Sequence, residues 1–269
     1  MSQNKNTYQL GIALSGGGAK GFAHLGVLAA LNEAGLFPQV VSGTSAGAFA
    51  GVLYADGHSP EEILSFFKKK AFKEFASFTI PQGGFFKTDG FQTFLKKHLR
   101  ARNFEDLKIP LRVVATDIEH GESRVFSSGQ LIPAVIASCS VPIIFRPVEI
   151  KGHYYVDGGL FKNFPVSTIR KECDKIIGVN VSPIMKSEFK SSIKYVAERS
   201  FHYMSTSNTL LDRNLCNYLI ESTELFKYSM FDLDHVEEIY DAGYHLAKEF
   251  LSKNEGILLQ DTSSKKANQ

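Results

Sequence analysis

A short apolar run followed by a glycine turn and a helix occurs twice near the start of the chain, and this repeat limits the fold more than any other feature. Residues Tyr8 to Leu14 are predicted as a buried strand that enters GGGAKG, and Gln39 to Ser42 as a second strand that enters GTSAG. The segments that follow, 19–34 and 46–55, are predicted helices, and each is followed by a glycine placed to end it. Short buried strands alternating with helices favour a mainly parallel sheet.

The rest of the chain continues this alternation. Further helices are predicted at 60–76, 91–99, 130–138 and 234–251, and further strands at 111–116, 124–126, 146–150, 154–156 and 175–181. We therefore expect an α/β fold, a three-layer α/β/α arrangement with a mainly parallel central sheet and ligands at the carboxyl ends of its strands. The length of 269 residues fits a single domain, expected at 5–255, with a disordered tail expected at 256–269.

The composition excludes several classes of protein. Hydrophobic residues make up 43% of the chain and charged residues 22%, which is the balance of a globular protein. The 30 basic and 28 acidic residues nearly cancel, so the chain lacks the positive field that nucleic-acid binding requires. No apolar stretch approaches the roughly 18 residues of a membrane span, and the start of the chain does not resemble a signal peptide. Contact with a membrane is therefore expected to be peripheral.

The three cysteines indicate a reducing environment. Cys139, Cys173 and Cys216 are odd in number and widely spaced, and none lies in a CxxC pair or beside a histidine that would suggest zinc. We expect free thiols in a cytoplasmic protein that holds no metal ion. The sequence makes no prediction of the oligomeric state.

The GTSAG turn is the first candidate for a catalytic element. Gly43, Ser45 and Gly47 form a GxSxG pattern between a predicted strand and a helix of small residues, which is the context of a nucleophile elbow that presents a serine hydroxyl at the edge of a sheet. GxSxG is a weak pattern in a chain rich in glycine and serine, and its other interpretation is a glycine turn before a helix. The flanking segments favour the elbow.

The GGGAKG turn permits two interpretations. Gly16, Gly18 and Gly21 match the GxGxxG pattern of a dinucleotide-binding turn, but the second predicted strand ends at Ser42 and not at the acidic residue that such a site requires. The same glycines could instead present backbone N–H groups at a helix N-terminus to a developing oxyanion, with Lys20 adding positive potential. Nucleotide binding remains the alternative.

A third glycine-containing segment, DGG, follows the predicted strand at 154–156. Asp157 emerges at the end of this strand, and Gly158 and Gly159 leave room around its carboxylate. Taken alone, an Asp-Gly pair is more typical of a turn.

GGGAKG, GTSAG and DGG, in this order, resemble the three signature motifs of the patatin-like phospholipase family. The stretch ASCSVPIIFRP at 137–147, the ATDIEHGE segment around Asp117, and Asn163 and Pro165 are also similar to the family, so the resemblance extends over 8–182. It implies that Ser45 is the nucleophile, that Asp157 is its base, and that backbone amides form the oxyanion hole. The residues implied to form that hole are Gly16, Gly17 and Gly18, and those implied to support the motifs are Lys20, Gly21, Gly43, Gly47, Gly158 and Gly159.

The function that the resemblance implies is a serine acyl hydrolase that cleaves fatty-acyl esters of lipids with a Ser/Asp dyad and without a metal or organic cofactor. A histidine triad is the rival mechanism, since His202, His235 and His245 follow the acid in the chain. None of the three is predicted to lie in a loop near a strand end, where a triad histidine is expected. His24 and His153 are expected to be structural. A non-catalytic lipid-binding or regulatory protein on the same fold is a further alternative.

The segment 63–86 is rich in phenylalanine and lysine. It either packs into the core with its lysines in solvent or meets acyl chains and a bilayer surface, and the loop around Pro81, Gly83 and Gly84 is a candidate lid. The partner predicted for the chain is a lipid or another acyl ester.

Overall fold

The computed structural model of the chain describes residues 8–68, 88–186 and 188–254, which form an eight-stranded sheet flanked by helices. The strands are β1 (Tyr8–Leu14), β2 (Val40–Thr44), β3 (Leu111–Asp117), β4 (Glu122–Phe126), β5 (Val148–Ile150), β6 (His153–Asp157), β7 (Cys173–Asn180) and β8 (Tyr218–Glu221). The helices are α1 (Phe22–Glu33), α2 (Ala46–Ala55), α3 (Pro60–Lys68), α4 (Asp89–His98), α5 (Leu131–Ser138), α6 (Gly159–Lys162), α7 (Ile193–Ser207), α8 (Leu210–Arg213) and α9 (Val236–Lys253).

The sheet is mainly parallel, as predicted. Its strand order is β5-β6-β3-β2-β1-β7-β8, and β4 pairs with β3 outside this path. Strands β3, β2, β1, β7 and β8 run parallel to one another, whereas β4 and β6 are antiparallel to β3 and β5 is antiparallel to β6. The predicted α/β class, with helices flanking a central sheet, is confirmed.

Strands β2 and β6 share one edge of β3. Strand β2 ends with Thr44 opposite Val114, and β6 ends with Asp157 opposite Ala115, the next residue of β3. Because β2 is parallel to β3 and β6 is antiparallel to it, the carboxyl ends of these two strands point toward each other. The residue after β2 and the last residue of β6 are therefore neighbours, although they are far apart in the sequence.

Apolar side chains cover both faces of the sheet because residues along a strand alternate between faces. On β1, Leu10, Ile12 and Leu14 belong to the main hydrophobic cluster with helices α1, α2 and α9. Ala13 points the other way and packs with Phe164 and its neighbours in the segment after α6. Burial of β1 is continuous from its third residue onward, which is typical of a parallel strand inside a sheet.

Most predicted elements agree with the structure. Strand β1 and helix α2 have the predicted bounds, whereas α1 begins at Phe22, three residues later than predicted, because Gly18–Gly21 forms a separate 3-10 turn. Helix α3 begins at Pro60 as predicted. The remainder of the 63–86 segment beyond residue 68, with its candidate lid loop, and the tail at 256–269 lie outside the described residues.

Helix α7 and strand β8 were not predicted from the sequence. Helix α7 begins after Ser192, whose hydroxyl accepts the Tyr195 N–H, and β8 extends the sheet next to β7. Among the helices in the described ranges, none is both long and apolar enough to cross a membrane.

The first and last helices of the described chain pack closely through glycines. A Cβ atom at Gly26 of α1 would lie 2.0 Å from the carbonyl oxygen of Tyr240, and a Cβ atom at Gly243 of α9 would lie 2.1 Å from that of Ala23. The two helices therefore approach to backbone contact, which ties the C-terminal helix to the helix that follows the GGGAKG turn.

We expect Gly243→Ala to destabilise the protein, although alanine is the better helix former by about 1 kcal/mol. The added methyl group forces α1 and α9 apart, so the net loss in the free energy of unfolding should be about 1–3 kcal/mol. Chemical denaturation measures this loss. Asp241→Ala, an exposed change on the same helix, is the control and should be nearly neutral. Stability equal to or above wild type for Gly243→Ala would contradict the close contact.

Candidate active site

A cavity of about 710 Å³ lies at the carboxyl ends of the parallel strands. Ser45 and Asp157 both line it, together with the glycines of the GGGAKG turn. Its other walls come from α2, α4, α7 and the segment 226–233, and they are rich in phenylalanine. The two residues that the sequence singled out for catalysis thus share one cavity.

Ser45 occupies a strained turn between β2 and α2. Its backbone has φ 53° and ψ −120°, a conformation that non-glycine residues rarely adopt. The flanking glycines are sterically required, because a Cβ atom at Gly43 would lie 2.4 Å from the Gly47 oxygen, and one at Gly47 would lie 2.2 Å from the Leu14 oxygen. The GxSxG pattern is therefore a nucleophile elbow in geometry.

Two residues at the C-terminal end of α5 hold this elbow in place. The N–H of Ser45 donates to Ser138 Oγ at 2.8 Å, and Ser138 Oγ donates to the Val114 oxygen at 2.5 Å. The Cys139 thiol donates to the Ser45 oxygen at 3.3 Å. Ser138 and Cys139 belong to the ASCSVPIIFRP stretch at 137–147, and no local sequence signal predicts these contacts for either residue.

Asp157 is a buried carboxylate at the end of β6. The residue is only 2% exposed, and its Oδ1 accepts a hydrogen bond from the Gly159 N–H at 2.7 Å. Burial raises the pKa of Asp157 to about 6, while the interactions of the carboxyl group with the nearby Ser45 hydroxyl and with the Gly159 N–H oppose this rise. The other carboxylate oxygen, Oδ2, has no hydrogen-bond partner among the described residues.

This pair can exchange a proton. At neutral pH a carboxyl group with a pKa of about 6 is mostly ionised, and it is a stronger base than an ordinary aspartate. The neighbouring Ser45 hydroxyl carries a proton that such a base can accept. The arrangement is that of an alcohol nucleophile next to a buried base.

The GGGAKG turn lines the same cavity, and some of its backbone N–H groups donate hydrogen bonds within the protein. The Gly16 N–H donates to the Asn163 oxygen at 3.0 Å, and the Ala19 N–H donates to the Met230 oxygen at 2.7 Å. In the described part of the chain, the N–H groups of Gly17 and Gly18 make no hydrogen bond. Of the three predicted oxyanion-hole glycines, Gly17 and Gly18 therefore have an amide to offer, whereas the Gly16 amide is occupied.

The remaining motif residues support the site by packing. Gly21 touches Ala46 at the start of α2, and Gly158 lies against the Val114 oxygen, at distances that leave no room for a Cβ atom. Lys20 is buried in the cavity wall, where its Nζ donates to Ser182 Oγ at 3.4 Å and lies 5.9 Å from the centre of the Phe226 ring.

His202 is the histidine that α7 brings to the cavity. It is buried, and its pKa falls to about 4 because of desolvation and the nearby charges of Lys20 and Arg199. It is therefore neutral at pH 7. Within the described ranges no hydrogen bond joins it to Ser45 or Asp157, so a triad has no support here.

The other histidines lie away from this pair. His235 precedes α9 and bonds Asp232 at 2.6 Å, and His245 is exposed on α9. His24 is buried in α1 with its Nε2 2.8 Å from the Ser15 oxygen, and burial lowers its pKa to about 4. These positions agree with the structural roles expected for them.

Asp117, His120 and His153 form a separate group on the outer part of β3 and β6. Their potential ligand atoms lie within 4.8 Å of one another, an arrangement that could hold a metal ion, and both histidines are exposed. None of these residues lines the cavity. His120 already bonds Asp117 Oδ1 at 3.1 Å, which accounts for their proximity without a metal.

Comparisons with known proteins agree with this geometry. The chain is 33% identical over 176 residues to "Patatin-like phospholipase domain-containing protein 7" of Rattus norvegicus, a match covering 62% of this chain and 13% of the relative. It is 26% identical over 276 residues to "Lysophospholipase nte1" of Emericella nidulans, covering 91% of this chain and 18% of the relative. The chain thus spans less than a quarter of the length of either relative.

A solved structure supports the fold. The crystal structure of VipD from Legionella pneumophila superposes with a TM-score of 0.53 at 16% sequence identity, covering 92% of this chain and 67% of VipD. The profile of the family described as "Patatin-like phospholipase" matches residues 12–169, a range that contains the glycine turn, the Ser45 elbow and Asp157. The chain belongs to the patatin-like phospholipase family.

Proposed function

We propose that this protein is a serine acyl hydrolase that cleaves fatty-acyl esters of lipids with Ser45 as nucleophile and Asp157 as base. The observation that carries the proposal is the approach of the Ser45 hydroxyl to a buried carboxyl group of raised pKa at one end of an apolar cavity. Family membership supports the same chemistry.

The first half of the reaction transfers the acyl group to the protein. Asp157 takes the proton of the Ser45 hydroxyl as Oγ bonds to the ester carbonyl carbon, and the carbonyl oxygen becomes an oxyanion. When this intermediate collapses, the bond to the leaving alcohol breaks and Asp157 returns the proton to that alcohol. In the second half a water molecule repeats these steps, so the fatty acid is released and Ser45 regains its proton.

The oxyanion is assigned to the amides of Gly17 and Gly18. They line the cavity beside Ser45, and they lie at the start of the helical segment that continues into α1, where the helix dipole favours negative charge. The occupied Gly16 amide takes no part in this assignment. A weak base such as aspartate makes the reaction depend strongly on these donors.

The cavity walls favour an acyl chain as the bound group. Phe22, Leu25, Phe49, Phe67 and Phe91 are among the side chains that line it. Such a surface binds apolar groups favourably, because binding removes both apolar surfaces from water. The relative from Emericella nidulans is named a lysophospholipase, which supports a phospholipid or lysophospholipid substrate here. Such a substrate implies peripheral contact with a membrane.

Two alternatives give different results in one experiment. A fluorophosphonate probe should label Ser45 of the purified protein, and Ser45→Ala should abolish the labelling. Tight nucleotide binding without labelling would indicate a nucleotide-binding protein that uses GGGAKG. Binding of intact lipid with neither labelling nor turnover would indicate a non-catalytic lipid-binding protein.

We expect Ser45→Ala to remove hydrolysis of p-nitrophenyl esters and Asp157→Asn to lower kcat by about 10²–10⁴-fold. Wild-type activity should rise with pH through about 6, because only the ionised form of Asp157 accepts the proton. Ester assays between about pH 4.5 and about pH 8 provide the measurement. His202→Ala, His235→Ala and His245→Ala are the controls and should each retain most activity. A severe loss in one of them, with Asp157→Asn spared, would indicate a triad instead.

We also expect Asp157→Asn to stabilise the protein at neutral and higher pH. The pKa of Asp157 is raised from 3.8 to about 6, so the folded state holds this proton more tightly than the unfolded state. That stability is present below pH 3.8 and is lost as the pH rises through about 6, and asparagine avoids the loss. The variant should exceed wild type by about 3 kcal/mol at high pH, and the difference should disappear near the lower pKa. Equal stability throughout would argue against a desolvated carboxylate.

Ser138 is expected to position the nucleophile without touching substrate. Ser138→Ala removes the acceptor for the Ser45 N–H, so kcat should fall about 10- to 100-fold while KM changes little. The matched control is Ser140→Ala, since the Ser140 hydroxyl bonds only the Ile136 oxygen among the described residues. Equal activity of the two variants would show that the elbow does not depend on this bond.

A further inference from the structure

Helix α7 has a cavity face and an outer face. Its half-buried or buried residues Tyr195, Arg199 and His202 line the cavity. Ile193, Val196, Tyr203 and Met204 are exposed on the same helix, and we call these four residues the outer face of α7. Ile193 is 92% exposed, and the other three are each more than two-fifths exposed.

Exposed apolar residues continue at both ends of this helix. Phe189, 75% exposed, lies just before it, and Leu210 and Leu211 follow it, the latter 81% exposed. Isolated apolar side chains on a protein surface are ordinary, but a contiguous group of this kind marks a surface that something covers. These residues lie within 189–211, the segment that contains α7 and hence part of the cavity lining.

Aromatic contacts connect this surface to the cavity wall. The ring of Phe189 meets that of Tyr195 edge-on, with 6.1 Å between centroids. The guanidinium group of Arg199 lies 4.4 Å from the Tyr203 ring centre and 5.0 Å from that of Phe226, which lines the cavity. The outer face of α7 is therefore in direct side-chain contact with residues of the cavity wall.

The charges next to the outer face favour an anionic partner. Lys186 and Lys190 are exposed in the segment that leads into α7, and Glu188 is the one exposed acid between them. Apolar side chains flanked by lysines are the composition of helices that lie in the plane of a membrane surface. A dimer or protein partner would cover the apolar residues equally well but would leave the lysines unexplained.

We propose that the outer face of α7, with Phe189, Leu210 and Leu211, docks onto the surface of an anionic lipid bilayer. The helix then lies in the interface, with its apolar side chains among the acyl chains and the lysines at the headgroups. The inference rests on the proposed function, because docking there would bring the cavity wall to the lipid that supplies its acyl esters.

The test compares vesicle binding with turnover of a soluble ester. One variant carries Ile193→Ser, Val196→Ser and Met204→Ser, and a matched control carries Phe37→Ser and Val125→Ser, which remove exposed apolar side chains from other parts of the surface. Each set is made with Ser45 intact for turnover of p-nitrophenyl butyrate and with Ser45→Ala for binding, so that vesicle lipids are not hydrolysed.

Vesicles of mixed phosphatidylcholine and phosphatidylglycerol are used in a flotation assay. We expect the triple variant to bind them at least about tenfold more weakly than wild type and the control variant to bind normally. Both should hydrolyse the soluble ester at the wild-type rate. Lys186→Ser with Lys190→Ser should weaken binding to these vesicles and reduce its dependence on salt, while binding to pure phosphatidylcholine stays the same.

Three results would overturn the docking surface. These are absence of vesicle binding by wild type, equal binding by the triple and control variants, or a concentration-dependent dimer that the triple variant abolishes while vesicle binding is unaffected. In each case turnover of the soluble ester would leave the proposed function standing. Absence of soluble-ester turnover by wild type would instead contradict the proposed function.

Discussion

The site depends on how two strands share one edge of β3. Strand β2 stops opposite Val114, and β6 arrives from the other direction opposite Ala115, so the chain segments that follow and end these strands must meet. Ser45 and Asp157 are the residues at this junction. Ser138 strengthens it from the side, because one hydroxyl group bonds both the Ser45 amide and the Val114 oxygen. The position of the candidate pair thus follows from strand register and not from the flexible reach of two side chains.

The same junction carries two unfavourable local features. Ser45 has a positive φ, and Asp157 places a carboxyl group where burial disfavours its charge. Both persist because the surroundings leave the backbone no alternative: glycines on either side of Ser45 pack against neighbouring backbone atoms without a Cβ atom between them. A rigid frame of this kind is what the proposed nucleophile and base require, since both must be held in one geometry.

The sequence predicted the first half of the fold well because its signals are local. Apolar runs ending in glycine turns define β1, β2, α1 and α2, and the three glycine motifs pointed to Ser45 and Asp157. Strand pairing is not local, so the residues around Asp157 do not predict that β6 is antiparallel to β3. The occupied amide of Gly16 depends on Asn163, and the neutral state of His202 depends on burial by α7. Helix α7 itself was missed because its exposed apolar residues do not produce the pattern of a core-facing helix.

The segments from α7 onward lie beyond the range that the family profile matches, yet they complete the cavity that holds the candidate pair. The Met230 oxygen fixes the Ala19 amide, and its residue also limits the space beside Gly18. Variation in this C-terminal third can therefore change the shape of the cavity without altering Ser45 or Asp157. A change of cavity shape in this protein thus requires no change in β1, β2 or the DGG strand, because residues beyond 182 supply a separate part of the wall.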